Sequence, residues 1–145
     1  MKHITAIDPD LRKSGVCRIN ENGKILVLES LEITKIILHI SEYPDDEYVI
    51  EDVNKIKAMY SRGVKTNNTR IAQNVGMCKA TGTMIIELVT NITRRKPTLA
   101  PVGLGKQVKQ NADLFKELTG YMKQTNEDKR DAWAIANWYL KTQLK

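Results

Sequence analysis

Short apolar runs separated by tight turns occupy the beginning of the chain. Residues 3–8 predict a first β-strand, Ser14–Asn20 a second and Lys24–Ile33 a third. Asn22-Gly23 lies between the second and third runs, and this dipeptide favours a hairpin because both residues tolerate positive φ. Strands joined in this way predict an antiparallel meander at the start of the fold.

Helical and strand-like patterns alternate along the rest of the chain. They predict, in order, a short helix at Thr34–Glu42, a buried strand at Tyr48–Glu51, a long helix from Asn68 to Val89, a strand at Pro97–Val102, a helix from Lys106 to Leu118, and a last helix capped by Thr125-Asn126. This order predicts a single α/β domain over residues 1–145. We expect a mixed five-stranded sheet, three antiparallel strands followed by parallel strands, flanked by helices.

Small residues interrupt the apolar face of the long predicted helix. Gly76, Ala80 and Gly82 lie close together on it, and such a patch lets another backbone approach closely. The patch fits two interpretations. The helix packs tightly on its own sheet, or it forms a contact between two subunits.

The composition fits one folded domain and sets few limits on its partner. The 145 residues are 41% hydrophobic and carry a formal net charge of +6, so a polyanionic partner suits the charge but is not required by it. Cys17 and Cys78 lack the spacing of a zinc site. The chain shows neither a signal-peptide pattern nor the ~20 consecutive apolar residues that span a bilayer, so we expect a soluble cytoplasmic protein without a membrane partner.

Four acidic residues lie at the ends of predicted strands and helices. Asp8 closes the first apolar strand, and Glu51 closes the fourth. An acidic side chain directly after a buried strand is costly unless something compensates its charge. Asp128 and Asp131 are spaced i, i+3, which places both carboxylates on one face of the last helix. All four are therefore candidates for one acidic site.

Two interpretations of these carboxylates are open on spacing alone. Acidic residues in the first turn of a helix are common because they complement the helix dipole. Alternatively, four carboxylates gathered at one edge of the sheet would hold two divalent ions ~3.5–4 Å apart, as in two-metal cleavage of a phosphodiester. Magnesium prefers such oxygen ligands. Gly15, soon after the first strand, suits a close backbone approach.

Four stretches of the chain match a known family. They are Ala6-Ile-Asp-Pro-Asp-Leu-Arg-Lys-Ser-Gly15, Val49-Ile-Glu-Asp-Val53, Gly103-Leu-Gly-Lys-Gln-Val-Lys109 and Asp128-Lys-Arg-Asp-Ala-Trp-Ala134. The first and the last stretches are specific to the family, whereas the two between them are short and would be weak evidence alone. With these stretches, in this order, the chain resembles the RuvC-type Holliday junction resolvases of the retroviral-integrase and RNase H superfamily.

This resemblance implies an RNase H-like fold and a magnesium-dependent endodeoxyribonuclease. Each active site would use two ions, for which manganese can substitute. The metal ligands implied are Asp8, Glu51, Asp128 and Asp131, and the basic residues implied near the scissile phosphate are Lys106 and Lys109. The resemblance further implies a homodimer, formed through the helix near residues 68–89, that resolves four-way DNA junctions by paired nicks.

Two positions depart from the family pattern. Asp10 stands where the family usually has glycine. The simpler interpretation is a turn residue, and the alternative is an additional carboxylate that alters the loop or joins the metal site. Asn54 stands where the family has an aromatic residue that helps to open the junction. Either Tyr60 takes over that role or the junction is handled differently. The chain is also shorter than cellular members, which is typical of a phage-like, divergent branch with relaxed selectivity.

Two segments without acidic residues, 53–86 and 88–112, separate Glu51 from the last helix. Their basic side chains would neutralise DNA phosphates and make binding depend on salt. For any single lysine, a solvated surface is the simpler explanation. The candidate DNA contacts are Lys55, Lys57, Tyr60, Arg62, Lys65, Lys106 and Lys109.

Other functions compete with a junction resolvase. A flap, branch or RNA–DNA hybrid nuclease would use the same fold and carboxylates, and a non-catalytic DNA-binding module would keep the fold alone. An actin-like ATP-binding domain normally needs a longer chain. Gly103-Leu-Gly-Lys106 lacks the spacing of a phosphate loop, which argues against nucleotide binding there.

Overall fold

A three-stranded antiparallel meander opens the structure, a computed structural model that describes residues 2–55 and 65–144, except the side chains of residues 65–68 and 71. Its strands are β1 (His3–Asp8), β2 (Ser14–Asn20) and β3 (Ile25–Leu31). Gly23 has a φ of 86° in the turn between β2 and β3, as the hairpin prediction requires. The predicted meander is therefore confirmed.

Two further strands extend the sheet in parallel. β4 (Glu47–Glu51) pairs with β1, and β5 (Thr98–Ala100) pairs with β4. The resulting strand order is β3-β2-β1-β4-β5. This confirms the predicted mixed five-stranded sheet, in which three antiparallel strands are followed by parallel ones.

Helices cover the sheet, and one of them differs from the prediction. The helices are α1 (Ile33–Glu42), α2 (Lys65–Thr93), α3 (Lys106–Lys109), α4 (Ala112–Thr119) and α5 (Glu127–Gln143), with a 3-10 turn at Val53–Lys55. The single helix predicted from Lys106 to Leu118 is wrong, because Asn111 interrupts it. The backbone of Asn111 is extended, and its side chain accepts a hydrogen bond from the Leu114 amide. An asparagine that caps a new helix in this way ends the previous one.

The strands alternate their side chains between two cores, one on each side of the sheet. Ile4 and Ala6 of β1 pack in a core that includes Ala132 of α5, whereas Ile7 packs in the other core with Ile85 of α2. Asp8 follows Ala6 by two residues. Its carboxyl group therefore points to the side of the sheet that α5 covers.

A buried polar network lies on the face of the sheet that α1 covers, towards the end of β1 that is farther from Asp8. Oγ1 of Thr5 donates to Asp46 at 2.7 Å and lies 3.1 Å from Nε2 of His39. The Arg18 guanidinium donates to both carboxylate oxygens of Asp46 and stacks on the ring of Tyr43, 3.9 Å from its centroid. These contacts satisfy the polar groups that the strands bury at this end.

The long helix α2 packs on the loops that leave β1 and β4. A Cβ built on Gly82 would overlap Cγ2 of Val53 and touch Pro9. Gly82 therefore serves packing within the chain, as the first interpretation of the small-residue patch holds. Gly76 instead faces open space. None of the helices in the described ranges is both long and apolar enough to cross a membrane.

Candidate active site

Asp8 and Glu51 lie side by side because their strands run parallel. In the register of β1 and β4, Ile7 is the partner of Ile50, so the next residue of each strand lies at the same edge of the sheet. The two carboxyl groups are close enough to interact, and Glu51 is, after burial, the largest cause of the raised pKa of Asp8. Asp8 is 8% exposed. The sheet therefore places these two acidic residues side by side, as the sequence predicts.

The first turns of α5 bring Asp128 and Asp131 to the same edge. Asn126 caps the helix, since its side chain accepts a hydrogen bond from the Lys129 amide at 2.9 Å. Gly15 of β2 is the register partner of Asp8, and a Cβ on Gly15 would overlap the backbone carbonyl of Asp128. The helix can approach the strand this closely only because position 15 has no side chain.

Like charges and burial disturb the acid groups of this cluster. Burial first, and then the negative charges of Glu51, Asp131 and Asp128, raise the pKa of Asp8 to about 9. Burial, followed by the charges of Asp10 and Asp131, also raises the pKa of Asp128, against the opposing effect of Lys109. Buried carboxylates this close repel one another unless a cation lies between them. A bound cation would therefore stabilise the cluster.

Lys109 supplies one positive charge to the cluster. Its ammonium nitrogen lies 2.9 Å from Oδ2 of Asp131. This ion pair, ahead of burial, which acts in the opposite direction, raises the pKa of Lys109. The other carboxylate oxygen, Oδ1 of Asp131, is buried and has no hydrogen-bond partner among the described residues. A buried acceptor without a partner is rare and marks a place for a missing donor or ion.

A cleft of about 960 Å³ opens above the carboxylates. Carboxylates, lysines and a few apolar side chains line it. Its charged lining residues are Asp8, Asp10, Glu51, Lys55, Lys106, Lys109, Asp128 and Asp131. The structure therefore brings all four predicted metal ligands and three of the predicted DNA-binding lysines to one cleft.

The side chains do not stand as a ready-made metal site. In residues 2–55 and 65–144, no three His, Cys, Asp or Glu residues are arranged so that they could together hold a metal ion. The donor set nevertheless fits a hard divalent cation, because it consists of carboxylate oxygens and includes the unpartnered Oδ1 of Asp131. For binding, Asp8 would have to lose its proton and the ion pair of Lys109 with Asp131 would have to open.

The remaining predicted DNA contacts are distributed unevenly. Lys57, Tyr60 and Arg62 lie outside the described residues, as does the side chain of Lys65. The second acid-free segment divides between the two ends of the sheet. Its 106–109 part lines the cleft, whereas Arg95 precedes β5 at the opposite end and binds Glu47 and the carbonyls of Pro44 and Asp46. Arg95 is thus used within the fold.

Asp10 is a turn residue whose charge still reaches the site. Its backbone amide donates to Oγ of Ser14, and its own carboxylate accepts from the Leu11 amide at 2.7 Å. Its carboxylate contributes to the raised pKa of Asp128. Asn54 is exposed in the 3-10 turn after β4. The turn interpretation of Asp10 agrees with these hydrogen bonds.

Two residues that hold α3 against α5, beside the site, were missed from the sequence. Arg130 is buried and donates to the backbone of Lys109. Gly105, with a φ of 69°, lies so close to α5 that a Cβ there would overlap Cβ of Ala134. A buried arginine in a helix rich in charge has no signal in the sequence. The glycine could have been found from the motif Gly103-Leu-Gly-Lys106.

Comparison with known proteins identifies the fold. No protein-family model matches the chain, and no curated protein matches it by sequence. Among the solved structures that match, two cover nearly the whole of both chains. "T. thermophilus RuvC in complex with Holliday junction substrate" has a TM-score of 0.64 and 13% identity, covering 97% of this chain and 96% of that one. "Thermus thermophilus RuvC structure" has a TM-score of 0.61 and 11% identity, covering 96% and 95%. The chain has a RuvC-like, RNase H-like fold.

Proposed function

We propose that this chain, with the fold of RuvC Holliday junction resolvases, is a divalent-metal-dependent endonuclease that cuts branched DNA, four-way junctions above all. The observation that carries the proposal is the convergence of Asp8, Glu51, Asp128 and Asp131 on one cleft. A buried cluster of carboxylates with little neutralising charge is unfavourable for stability. Its presence at this edge of this fold favours a catalytic role.

The proposed mechanism assigns a role to each charged group of the cleft. The four carboxylates would hold magnesium or manganese ions, which would supply an activated water and neutralise charge on the phosphate. Asp8, whose raised pKa favours the protonated acid, must lose its proton before it can act as a ligand. Before the ions bind, Lys109 orients Asp131 through its ion pair.

Lysines on the rim of the cleft would position the DNA backbone. Lys55 and Lys106 are exposed there, and both line the cleft with the carboxylates. Such side chains neutralise phosphates without reading the base sequence. The cleft would therefore recognise the shape and charge of the DNA, which suits a substrate defined by its branching.

The homodimer of the proposal would use the exposed face of α2. Met77 and Met84 are 57% and 44% exposed, and they lie two helical turns apart on this helix. Gly76 faces open space beside them. Exposed methionines next to a small residue favour contact with another apolar surface. Two copies joined in this way would present two clefts to one junction.

A cleavage panel with magnesium tests the proposal. Labelled four-way junctions, three-way branches, flaps, linear duplexes and RNA–DNA hybrids are incubated with the wild type and with Asp8→Asn. We expect cleavage of four-way junctions by the wild type and none by Asp8→Asn, which should still bind the junction because it loses only a negative charge. Glu21→Gln, an exposed residue remote from the cleft, is the matched control and should cleave normally.

Each other result of the panel points to a different function. Equal cleavage of flaps and three-way branches would indicate a less selective branch nuclease, and preference for hybrids would indicate an RNA–DNA hybrid nuclease. Binding without cleavage, with manganese as well as magnesium, would indicate a non-catalytic DNA-binding module. Normal cleavage by Asp8→Asn would show that the proposed site is wrong.

A further inference from the structure

Arg130 is a buried cation between Asp128 and Asp131, and the proposed reaction does not use it. The residue is 7% exposed. Its Nε and Nη2 donate to the backbone carbonyl of Lys109 at 3.0 and 2.8 Å, and its Nη1 donates to Oγ1 of Thr125 at 2.9 Å. Each nitrogen of the guanidinium group therefore donates to a neutral oxygen.

The partner carbonyl explains why a charge is buried here. Lys109 is the last residue of α3, so its carbonyl is one of those that a helix leaves unpaired at its negative end. A cation at this position is favourable. A helix of this length is also too short to be stable in isolation. The end of α3 thus depends on Arg130 for its place in the fold.

The beginning of α3 is held against α5 as well. Gly105 precedes the helix, and it lies so close to α5 that a Cβ would overlap Cβ of Ala134. Both ends of α3 are therefore attached to the same face of α5. Arg130 and Asp131 are neighbours on α5, and both bind Lys109. Arg130 donates to its backbone carbonyl, and Asp131 pairs with its ammonium group.

We propose that Arg130 is a positioning residue, which holds the backbone of Lys109 so that its ammonium group lies against Asp131 in the active site. The effect on catalysis rests on the proposed nuclease function. The effect on the position of the ammonium group does not rest on it. Two separate measurements therefore test the two parts.

The first measurement follows the Lys109 ammonium group by NMR of ¹⁵N-labelled lysine side chains, with Lys109→Gln to assign its signal. We expect Arg130→Gln to lose or shift this signal. Arg18→Lys is the matched control, because it weakens a partly buried guanidinium on the other side of the sheet, and it should leave the signal in place. An unchanged Lys109 signal in Arg130→Gln overturns the proposal.

A milder variant keeps the test decisive if Arg130→Gln does not fold. Arg130→Lys retains the charge but cannot donate to Lys109 and Thr125 in the same geometry. We expect a shifted Lys109 signal in this variant too. The same signal as in the wild type would count against the proposal.

The second measurement is a double-mutant cycle on the cleavage of four-way junctions. We expect Arg130→Gln to lower kcat by about 10- to 100-fold, as misplacement of a catalytic group does, with KM little changed. The double variant Arg130→Gln/Lys109→Gln should be no slower than Lys109→Gln alone. Independent, additive losses would overturn the proposal. If the wild type does not cleave, the proposed function fails, and the NMR measurement still decides the position of Lys109.

Discussion

Gly15 and Asp128 touch backbone to backbone, where β2 meets the first turn of α5. A Cβ at position 15 would overlap the carbonyl oxygen of Asp128. Gly15 is also the register partner of Asp8. A single missing side chain therefore sets how closely a carboxylate of the helix approaches a carboxylate of the sheet.

Gly15→Ala should weaken both the fold and the site. The added methyl group has to push α5 away from β2, and overpacking of this kind costs about 1–3 kcal/mol of unfolding free energy. We expect this loss in urea denaturation. The rate of junction cleavage should fall even under conditions where the variant is fully folded, because Asp128 moves away from Asp8.

Gly76→Ala is the control for the glycine substitution. Gly76 lies in α2 with no atom within 4 Å of a Cβ placed there. Alanine in a helix interior is favoured over glycine by roughly 0.5–1 kcal/mol, so this variant should gain stability in the same urea experiment. Equal stability of Gly15→Ala and the wild type would contradict the close contact described above.

Asp8→Asn should make the metal-free protein more stable. Asp8 is buried beside Glu51 and near two further carboxylates. In the wild type, folding requires Asp8 either to take up a proton or to bury a charge, whereas a neutral amide requires neither. We expect a higher Tm than that of the wild type in EDTA. Magnesium should raise the Tm of the wild type more than that of the variant. A variant that is less stable than the wild type in EDTA, or equally stabilised by magnesium, would refute this prediction.

Lys109→Met should separate metal binding from cleavage. The ammonium of Lys109 occupies Oδ2 of Asp131 at 2.9 Å, so its removal frees that oxygen and eliminates a positive charge that repels cations. Manganese affinity, measured by the paramagnetic relaxation of water, should rise, whereas the rate of junction cleavage should fall. Lys106→Met is the control: it removes a charge from the same cleft but leaves the Lys109–Asp131 ion pair in place, so it should raise manganese affinity less than Lys109→Met. Weaker manganese binding by Lys109→Met would contradict the competition between lysine and metal.

The buried His39 should make stability fall in mild acid. Burial, the largest cause, and the charge of Arg18 lower the pKa of His39, against the opposite effects of Asp46, Glu42 and Glu29. As pH decreases below the ordinary histidine value, about 6.5, the unfolded chain takes up a proton and the folded chain does so only at lower pH. The free energy of unfolding should therefore decrease with pH from that value towards the folded pKa.

His39→Gln tests this assignment by urea denaturation between pH 5 and 7.5. The variant should show a weaker dependence on pH, because glutamine does not titrate. His3→Gln, which alters the partly exposed histidine at the start of β1, should keep the dependence of the wild type. The prediction is wrong if both variants retain the same slope.

Most of the fold could be predicted from the alternation of apolar residues along the strands and from the residue types in the turns. The strands from His3 to Asp8 and from Ser14 to Asn20 are those that the pattern predicts, because alternate residues serve two cores and Asn22-Gly23 fixes the hairpin. The break at Asn111 was missed, since a helix cap and a polar position inside a helix look alike in sequence.

The acidic residues of the candidate site could be predicted from the sequence, but the residues that hold them in place could not. Asp8 and Glu51 follow from the ends of parallel strands. The burial of Arg130 does not, because its place depends on where α3 ends against α5, a tertiary relationship without local periodicity. The same limit applies to Arg95, whose charge suggests a DNA contact but which binds Glu47 and two backbone carbonyls.

The position of α5 in the chain has a consequence for folding. The sheet places Asp8 beside Glu51, but Asp128 and Asp131 join them only when α5 docks on β1 and β2. Contacts between elements so far apart in sequence form slowly, because closing the long loop between them costs entropy. A chain with the sheet formed and α5 undocked would hold half of the acidic cluster. The docking of α5 during refolding would thus be the event that creates the cleft.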